Sequence, residues 1–360
     1  MKIFFLIALA VFTFLSPPDV DRFLVGAHFY AWYIKGDWSR IHQEAVLGKY
    51  ASREKEVMSQ QISWAADYGV DFFGVEWSGI EKSTDKIIYK YFLKNPKLKK
   101  IRWCIAYDTL TRFRKISDPP YNFNNPRIRE AFLTDIAYLA KRYFPTDHYL
   151  KFQGRPVIWI YIARGFDGDW QGALAEAREI VRKQGMELYI DADLLWPDHT
   201  DSGAIPDYDA VSFYVLNQRP LFRSRNIRTT GEVVDVARNY FRLWAKEAAR
   251  YKNKYTGEPV AFHPAITPQF IKPADPTALR YTMQSVDDFR RFAILASEYA
   301  TYDSLAQAKV VWVTSWNEWY EGTAIEPTVP GDSLQTNYGY QLLEVIREIF
   351  KKGEVQTQKS

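Results

Sequence analysis

The sequence predicts a single (β/α)8 barrel, a closed sheet of eight parallel strands surrounded by helices. Eight apolar segments, rich in Val, Ile and aromatic residues, alternate with amphipathic segments along the chain. The apolar segments mostly lack polar alternation, which is typical of parallel strands buried on both faces. The 360 residues, 47% of them hydrophobic, are enough for one large core. A doubly wound open sheet is the alternative arrangement of the same units.

The predicted strands and helices follow one another in regular order. The strands are residues 23–30, 70–77, 100–107, 156–162, 187–191, 209–214, 259–266 and 309–316. The helices are residues 53–68, 85–94, 127–143, 170–184, 232–252, 286–300 and 334–350. The first helix illustrates the pattern, because Val57, Ile62 and Ala65 recur at helical spacing and Gly69 ends it. The connection between the fifth and sixth strands shows no helical pattern.

We interpret the chain as one domain with short terminal segments. Lys2 and the apolar residues 3–15 are typical of a signal peptide or N-terminal anchor, which we assign to residues 1–18. The barrel is assigned to residues 22–353 and a C-terminal tail to residues 354–360. These features predict an exported protein, whether secreted, periplasmic or at the cell surface. It would contact a membrane only through an uncleaved leader, and the sequence leaves its oligomeric state open.

Composition argues against several classes of partner and cofactor. The net charge is +4, and the densest basic run is Lys97, Lys99 and Lys100, which is typical of a solvated turn. No nucleic-acid partner is expected, because such a surface needs a broad basic stripe. Cys104 lies in an apolar strand, which favours an inert core thiol. The five histidines lack metal-binding spacing, so no metal or other cofactor is expected.

Aromatic residues make up 16% of the chain, and many of them follow predicted strands. In a (β/α)8 barrel, functional residues lie just after the carboxyl ends of the strands. Aromatic rings there can stack on sugar rings, and polar side chains can bind sugar hydroxyl groups. The sugar-binding candidates from the first seven strands are Tyr30, Trp77, Tyr107, Tyr161, Tyr214 and His263. Packing within the core is the alternative role for each of them.

The eighth strand is followed by two glutamates, Glu318 and Glu321, among the aromatic residues Trp316, Trp319 and Tyr320. Two carboxyl groups at a strand end can share the work of glycoside hydrolysis. One protonates the leaving oxygen, and the other supplies negative charge or activates a nucleophile. Apolar surroundings and a second carboxylate each raise the pKa of a glutamate, which suits an acid. The alternative is a pair of surface glutamates at the start of a helix.

Residues 310–327, together with the run from Ala27 to Tyr33, resemble glycoside hydrolase family 99, the endo-α-1,2-mannosidases and endo-α-1,2-mannanases. The family motif is a buried strand followed by Asn-Glu-Trp-x-Glu-Gly-Thr-x-Ile-Glu-Pro. Here the motif reads Asn317-Glu318-Trp319-Tyr320-Glu321-Gly322-Thr323-Ala324-Ile325-Glu326-Pro327. Related barrels associated with polysaccharide biosynthesis loci carry a similar Trp-Asn-Glu-Trp segment. The rest of the chain agrees with the family in the order of its elements.

The resemblance implies a retaining hydrolase that cleaves within an oligosaccharide or polysaccharide and has no carboxylate nucleophile. By this resemblance, Glu318 is the base on the substrate's own 2-hydroxyl, whose oxygen attacks the anomeric carbon to give a 1,2-anhydro sugar. Glu321 then protonates the leaving oxygen and afterwards activates the water that opens the epoxide. Four more residues of the motif region are candidates for contact with the substrate or for orienting the loop: Trp316, Asn317, Tyr320 and Glu326.

The chain departs from the family pattern at two places. Family members usually carry His at the position of Tyr320. After the third strand, the segment Ala106-Tyr107-Asp108-Thr109 differs from the family's acidic segment, and Asp108 is the candidate replacement. Both differences bear on which sugar is accepted more than on whether the protein is a hydrolase.

Other functions use the same barrel. Conventional retaining barrels place carboxylates after strands four and seven, where this chain has Tyr161, Arg164 and His263, so a double-displacement glycosidase is disfavoured. A glycosyltransferase is the second hypothesis, because Asp191 and Asp193 formally match the Asp-x-Asp pattern that can hold a metal and a sugar diphosphate. A non-catalytic sugar-binding barrel is the third, and it would use the aromatic residues without needing two glutamates.

Overall fold

The computed structural model describes residues 20–197, 200–272 and 279–351. The predicted leader, residues 1–18, and the predicted tail, residues 354–360, lie outside these described residues. Within the described part, no helix has the length and apolarity needed to cross a membrane.

The architecture is a (β/α)8 barrel, as predicted. Eight parallel strands form its wall: β1 (Phe23–Phe29), β2 (Phe72–Trp77), β3 (Arg102–Tyr107), β4 (Arg155–Ile160), β5 (Tyr189–Asp193), β6 (Ala210–Ser212), β7 (Ala261–Phe262 and Ala265–Ile266) and β8 (Ala308–Val313). Each strand pairs with its neighbours in chain order, and β1 pairs with β8. The barrel wall therefore has no free edge between the first and last strands.

Strand β7 completes the barrel in two short pieces. Ala261 and Phe262 pair with β6, whereas Ala265 and Ile266 pair with β8. His263 and Pro264 separate the two pieces. Because a proline has no N–H to donate to a ladder, it interrupts regular pairing at this position. The sequence predicts a continuous strand here, and the structure corrects that prediction.

Nine helices surround the barrel in the described residues: α1 (Lys55–Asp67), α2 (Ser83–Ile87), α3 (Thr109–Phe113), α4 (Pro126–Arg142), α5 (Trp170–Arg182), α6 (Arg219–Ser224), α7 (Thr230–Ala248), α8 (Val286–Tyr299) and α9 (Gln341–Phe350). The second predicted helix continues beyond α2 as a π-helical turn, Ile88–Phe92. The closing helix begins at Gln341, seven residues later than the predicted start at Leu334. Helices α3 and α6 are too short to give a clear 3.6-residue pattern, so the sequence does not predict either of them.

Helix boundaries have identifiable local causes. Asn125 caps α4 by accepting a hydrogen bond from the Arg127 amide, and Pro126 stands at the first position, where its missing N–H costs nothing. Thr229 and Glu232 form a reciprocal capping box at the start of α7. These caps fix where the helices start, and so they fix the loops that approach the barrel mouth.

A buried ion pair joins α5 to the start of β6. Arg178 donates to the Asp209 carboxylate at 2.8 Å, and both side chains are almost inaccessible to solvent. The same guanidinium donates to the carbonyls of Leu188 and Asp207. A second donor to Asp209 is the Ile190 amide, at 2.8 Å. The pair therefore links a helix to two neighbouring strands through groups that have no access to water.

We expect Asp209→Ala to destabilise the barrel by about 3–5 kcal/mol, because it leaves the Arg178 guanidinium buried without a counter-charge. The control is Glu298→Ala, which removes the partner of Arg238 in an exposed ion pair and should cost less than about 1 kcal/mol. Thermal or urea denaturation measures both changes. Equal stabilities for the two variants would show that the buried ion pair contributes no more to the free energy of unfolding than the exposed one.

Candidate active site

A cavity of about 310 Å³ opens at the carboxyl ends of the barrel strands. Six aromatic side chains line it: Tyr30, Trp32, Trp159, Tyr161, Tyr214 and Tyr320. Four acidic residues line it: Glu76, Asp108, Glu318 and Glu321. His28 and Lys272 are also part of the wall, and Lys272 is the only cationic lining residue in the described part of the chain. Aromatic faces beside carboxyl groups are the surroundings that a sugar ring needs.

The loop after β8 presents two of the acidic residues to this cavity. It is a compact turn rather than a helix: the Ser315 amide donates to the Thr323 carbonyl at 2.9 Å, and the Glu318 amide donates to the Ser315 hydroxyl at 2.7 Å. Gly322 has a φ of +67°, a left-handed conformation that glycine adopts without strain. The alternative prediction, two surface glutamates at a helix start, is therefore wrong.

Asn317 ties this loop to the end of β1. Its side-chain oxygen accepts from the Tyr30 amide at 2.7 Å, and its side-chain nitrogen donates to the Tyr30 carbonyl at 3.0 Å. Its own carbonyl accepts from the Tyr33 hydroxyl at 2.7 Å, and that hydroxyl accepts from the Trp319 amide. Asn317 is fully buried and lies outside the cavity lining, so its position is that of an anchor for the neighbouring Glu318.

Glu318 is 3% exposed and faces the cavity. One carboxyl oxygen, Oε1, accepts from the Tyr320 amide at 3.0 Å. The other oxygen, Oε2, is buried and has no hydrogen-bond partner among the described residues. Burial, and next the charge of Glu321, raise the pKa of Glu318 well above its usual range. A free, buried carboxyl oxygen of this kind is available to a substrate hydroxyl group.

Glu321 receives a chain of hydrogen bonds from two phenols. Tyr30 donates to the Tyr214 hydroxyl at 2.7 Å, and Tyr214 donates to the Glu321 carboxylate at 3.1 Å. Burial, with the nearby carboxylates, raises the pKa of both phenols well above the usual value, so both remain donors. Burial also raises the pKa of Glu321, while the charge of Lys272 and the bond from Tyr214 oppose that rise. The surroundings of the two catalytic candidates therefore differ.

The predicted rise in the pKa of both glutamates is thus confirmed, and its main cause is burial. Each carboxyl group also responds to a neighbouring carboxylate, which is Glu321 for Glu318 and Asp108 for Glu321. Two interacting carboxyl groups lose their protons in two steps that belong to the pair. An interacting pair of this kind can release one proton before the other, which would leave one acid and one base.

Glu326 lies behind the loop and outside the cavity lining. It accepts from the Tyr50 hydroxyl at 2.7 Å and from the Gln61 amide at 3.0 Å. The Tyr50 hydroxyl in turn accepts from the side chains of Trp319 and Asn317 at 2.9 and 3.3 Å. Burial raises the pKa of Glu326 to about 8. The structure thus gives Glu326 a place in the scaffold of the loop and no contact with the cavity.

Three aromatic candidates also lie away from the cavity. The Trp77 indole donates to Asp85 at 2.7 Å, and the Tyr107 hydroxyl donates to Asp135 at 2.8 Å. Trp316 packs against Phe73 in the core. Successive strand residues point to opposite faces, and in β2 and β3 it is Glu76 and Ala106 that face the cavity. Their neighbours Trp77 and Tyr107 therefore point out of the barrel toward the helices.

His263 occupies the break in β7 as part of a buried charge cluster. Its Nδ1 lies 2.8 Å from Asp191, and its Nε2 lies 3.3 Å from Asp303. Burial acts to lower its pKa, but the two carboxylates outweigh burial and raise the pKa to about 9. Burial acts to raise the pKa of Asp303, but the nearby His263 ring nevertheless holds that pKa below its usual value. His263 is fully buried and lies outside the cavity lining, so the structure does not bring it to the sugar site.

The Asp-x-Asp segment is occupied by protein donors. Asp191 accepts from the Trp312 indole at 2.7 Å and contacts His263. Asp193 accepts from the Ile162 amide at 3.0 Å and pairs with Arg164. Neither carboxylate lines the cavity. Over residues 20–197, 200–272 and 279–351, no group of three or more His, Cys, Asp or Glu side chains is arranged to hold a metal ion.

Four of the predicted binding residues line the cavity: Tyr30, Tyr161, Tyr214 and Tyr320. Several other residues line the cavity that are not among the predicted binding residues: His28, Trp32, Glu76, Trp159 and Lys272. His28 and Glu76 lie at predicted strand ends, so strand position was a usable signal for them. Lys272 lies on the loop after β7, far from any recognisable motif, and only the folded chain brings it to the glutamates.

Comparison with known proteins gives a family and a fold. Residues 41–346 match the family model described as "Glycosyltransferase WbsX". No curated protein matches the chain significantly. This family match, together with the structural similarities below, bears out the resemblance to glycoside hydrolase family 99 and its related barrels.

Solved structures share the barrel at low sequence identity. The family 99 endo-α-mannosidase of Bacteroides thetaiotaomicron, in complex with BIS-TRIS-propane, aligns over 94% of this chain and 99% of its own, with 17% identity and a TM-score of 0.61. A protein described as glycoside hydrolase-like aligns over 93% of this chain and 95% of its own, with 19% identity and a TM-score of 0.67. At these identities, the similarity establishes the fold.

The His263 cluster predicts a specific pH dependence of stability. Its folded pKa of about 9 lies above the ordinary value of 6.5, so its contribution is complete below pH 6.5 and is lost as the pH rises through 9. The melting temperature of the wild type should fall over this range. His263→Gln should lower stability at pH 6 and reduce the fall between pH 6.5 and 9. Parallel curves for the two proteins would contradict the role of this cluster.

Proposed function

We propose that this chain, which belongs to the family described as Glycosyltransferase WbsX, is a retaining glycoside hydrolase. The reason is the glutamate pair in its barrel mouth. The protein would cleave within an oligosaccharide or polysaccharide, in the manner of an endo-α-1,2-mannosidase. One observation carries the proposal: Glu318 and Glu321 project from one loop after β8 into a cavity lined by aromatic rings. Both carboxyl groups have raised pKa values.

In the first step, Glu318 takes the proton of the substrate's 2-hydroxyl. The oxygen so activated attacks the anomeric carbon, and the bond between that carbon and the leaving oxygen breaks. Glu321 gives its proton to the leaving oxygen. The products are a 1,2-anhydro sugar and a shortened glycan. This step requires the 2-hydroxyl to lie opposite the leaving group on the ring, as it does in α-mannosides.

In the second step, Glu321 is a carboxylate and takes a proton from water. The water oxygen attacks the anomeric carbon, and the bond from that carbon to the 2-oxygen breaks. Glu318 returns its proton to the 2-oxygen, so both glutamates regain their starting states. Each step inverts the anomeric carbon, and two inversions give overall retention of configuration.

The resting electrostatics of the pair bear on these roles. Glu318 is the more deeply buried, whereas Lys272 and Tyr214 favour the ionised form of Glu321. In the free protein the shared proton is therefore favoured on Glu318. A 2-hydroxyl that donates to the free Oε2 of Glu318 stabilises the ionised form of that group. Substrate binding would thus move the proton toward Glu321, where the leaving oxygen needs it.

The two departures from the family motif lie in or beside the cavity. Tyr320 lines the cavity and stacks on Tyr33, with ring centroids 5.5 Å apart. Asp108 also lines it, and burial raises its pKa. Both side chains would contact the sugar, so we propose that they influence which sugar ring the site accepts.

Glycosyl transfer is the competing activity, and the family description names it. A nucleotide-sugar transferase of the metal-dependent kind needs free carboxylates for a metal that binds the diphosphate. Here Asp191 and Asp193 are engaged by protein donors, and four acidic residues face the cavity against one lysine. The single lysine among these acidic groups provides little positive charge for binding a diphosphate, which supports hydrolysis of a neutral glycan.

Replacing either glutamate should abolish most of the turnover. Glu318→Gln and Glu321→Gln should each lower kcat by about two or more orders of magnitude, the usual scale for positioned acid–base groups. Folding should be retained, because glutamine keeps the size of the side chain. The matched control is Glu130→Gln on the exposed face of α4, which should leave kcat unchanged. Wild-type turnover in either loop variant would remove that residue from the mechanism, and intact sugar binding and function in Glu321→Gln would instead favour a non-catalytic barrel.

The roles of the two glutamates can be separated with two substrates that differ in their leaving group. An aryl glycoside whose phenol is acidic needs no protonation as it leaves, so it should restore much of the first step in Glu321→Gln. It should not restore Glu318→Gln, because the 2-hydroxyl still needs its base. For each variant, the measurement is the initial rate on the aryl glycoside divided by the initial rate on the natural-type glycan. Rescue of Glu318→Gln alone would exchange the two roles.

A further inference from the structure

We propose that His28 and Glu76 form a hydroxyl-recognition subsite at the inner end of the cavity and so determine which sugar ring is accepted. Neither residue takes part in the proposed bond cleavage. The inference rests on the proposed function in one respect, that the ligand is a carbohydrate. It adds the chemistry by which that ligand would be selected.

The cavity reaches down between β2 and β3 because small residues line it there. Gly74 of β2 and Ala106 of β3 are both part of the lining. A Cβ atom added at Gly74 would lie 2.7 Å from the Trp312 ring and 3.5 Å from the Nδ1 of His28. Gly74 therefore keeps open the space beside His28, and side chains at i and i+2 share a face, so Glu76 points to the same side.

His28 brings a polar ring into this space without any partner of its own. It is 1% exposed, and both ring nitrogens lack hydrogen-bond partners in the described part of the protein. The ring stacks on Trp312, with centroids 4.6 Å apart and planes 5° apart, and it also contacts Trp159. Burial lowers the pKa of His28 to about 3, so the ring is neutral and offers one donor and one acceptor.

Glu76 is the second polar group of the subsite. It is 4% exposed, and its Oε2 is buried with no hydrogen-bond partner among the residues that the structure describes. Burial, then the charge of Asp108, raises the pKa of Glu76 to about 8. At neutral pH its carboxyl group is therefore mostly protonated and can both donate and accept. Glu76 lies two strands from β8 around the barrel wall, with β1 between them, so it is separate from the glutamate loop.

These two groups match the chemistry of neutral sugar hydroxyls. A hydroxyl group both donates and accepts, as do a neutral imidazole and a protonated carboxyl group. Buried polar atoms are normally hydrogen-bonded. A sugar ring that forms hydrogen bonds with His28 and Glu76 should therefore bind more tightly than a ring that leaves them without partners. A carboxylate or phosphate on the sugar would lose its hydration beside Glu76 and Asp108, and neither His28 nor Glu76 offers it a positive charge in return. The subsite thus favours a hydroxyl-bearing ring and disfavours an acidic one.

The test measures binding of defined sugars to a protein that cannot turn them over. In the Glu321→Gln background, tryptophan fluorescence follows titration with the methyl α-glycosides of mannose, glucose and galactose. The sugar that binds most tightly is then replaced by its monodeoxy analogues and its uronate. The same titrations are run on variants that add Glu76→Leu, Glu76→Gln or His28→Leu, with Glu130→Gln as the control on α4.

We expect one deoxy analogue to bind about tenfold more weakly than its parent sugar, the scale of one neutral hydrogen bond. In Glu76→Leu or His28→Leu, removal of the same sugar hydroxyl should hardly change the affinity, because the side chain that binds this hydroxyl is already absent. Glu76→Gln should keep the discrimination, since an amide also donates and accepts. The uronate should bind at least about tenfold more weakly than the neutral sugar in the unmodified subsite.

The proposal is overturned if every deoxy analogue loses the same affinity in the leucine variants as in the parent, or if none of the sugars binds. Melting temperatures show which variants are folded, and His28→Leu provides the test if Glu76→Leu does not fold. Mannan hydrolysis by the protein with Glu321 intact is measured separately. If mannan is hydrolysed but the leucine variants still discriminate against the deoxy analogue, only the subsite proposal is contradicted. If the leucine variants lose this discrimination but mannan is not hydrolysed, only the proposed function is contradicted.

Discussion

The two hydrogen bonds between the Asn317 side chain and the main chain of Tyr30 are the constraint on which the site depends. They join the loop after the last strand to the end of the first strand. At one end of this link, Tyr30 starts the phenol chain that reaches Glu321 through Tyr214. At the other end, Glu318 follows Asn317 directly in sequence. The placement of both glutamates therefore depends on the same contact.

Burial explains the rest of the site's chemistry. Behind the loop, the Tyr50 hydroxyl donates to Glu326 and accepts from the Trp319 indole, which holds the loop against the barrel. Burial of the loop raises the pKa of both carboxyl groups, which interact and so lose their protons as a pair. The same desolvation keeps His28 neutral and Glu76 protonated. One physical cause thus gives the site both its acid–base pair and its polar wall.

The barrel could be predicted from the sequence because each strand is a nearly continuous apolar segment, but the direction of each side chain could not be read as easily. Trp77 and Tyr107 were predicted to face sugar, whereas their neighbours Glu76 and Ala106 do so. The error follows from the alternation of strand residues, because two adjacent residues cannot both face the cavity. A continuous seventh strand predicted that His263 lies at the barrel mouth. In the structure the strand is broken at His263 and Pro264, and the His263 ring contacts Asp191 and Asp303 instead. Lys272 reaches the glutamates only through folding, so no local pattern could identify it.

The most direct test of the account is the anomeric configuration of the first product released from α-1,2-linked mannan, followed by proton NMR in the presence and absence of EDTA. The proposed mechanism, with two inversions at the anomeric carbon by Glu318 and Glu321, predicts that the α-anomer forms first. The products should be disaccharides or larger, and EDTA should not change the rate. Initial release of the β-anomer, or loss of activity with EDTA, would contradict the mechanism derived from this loop.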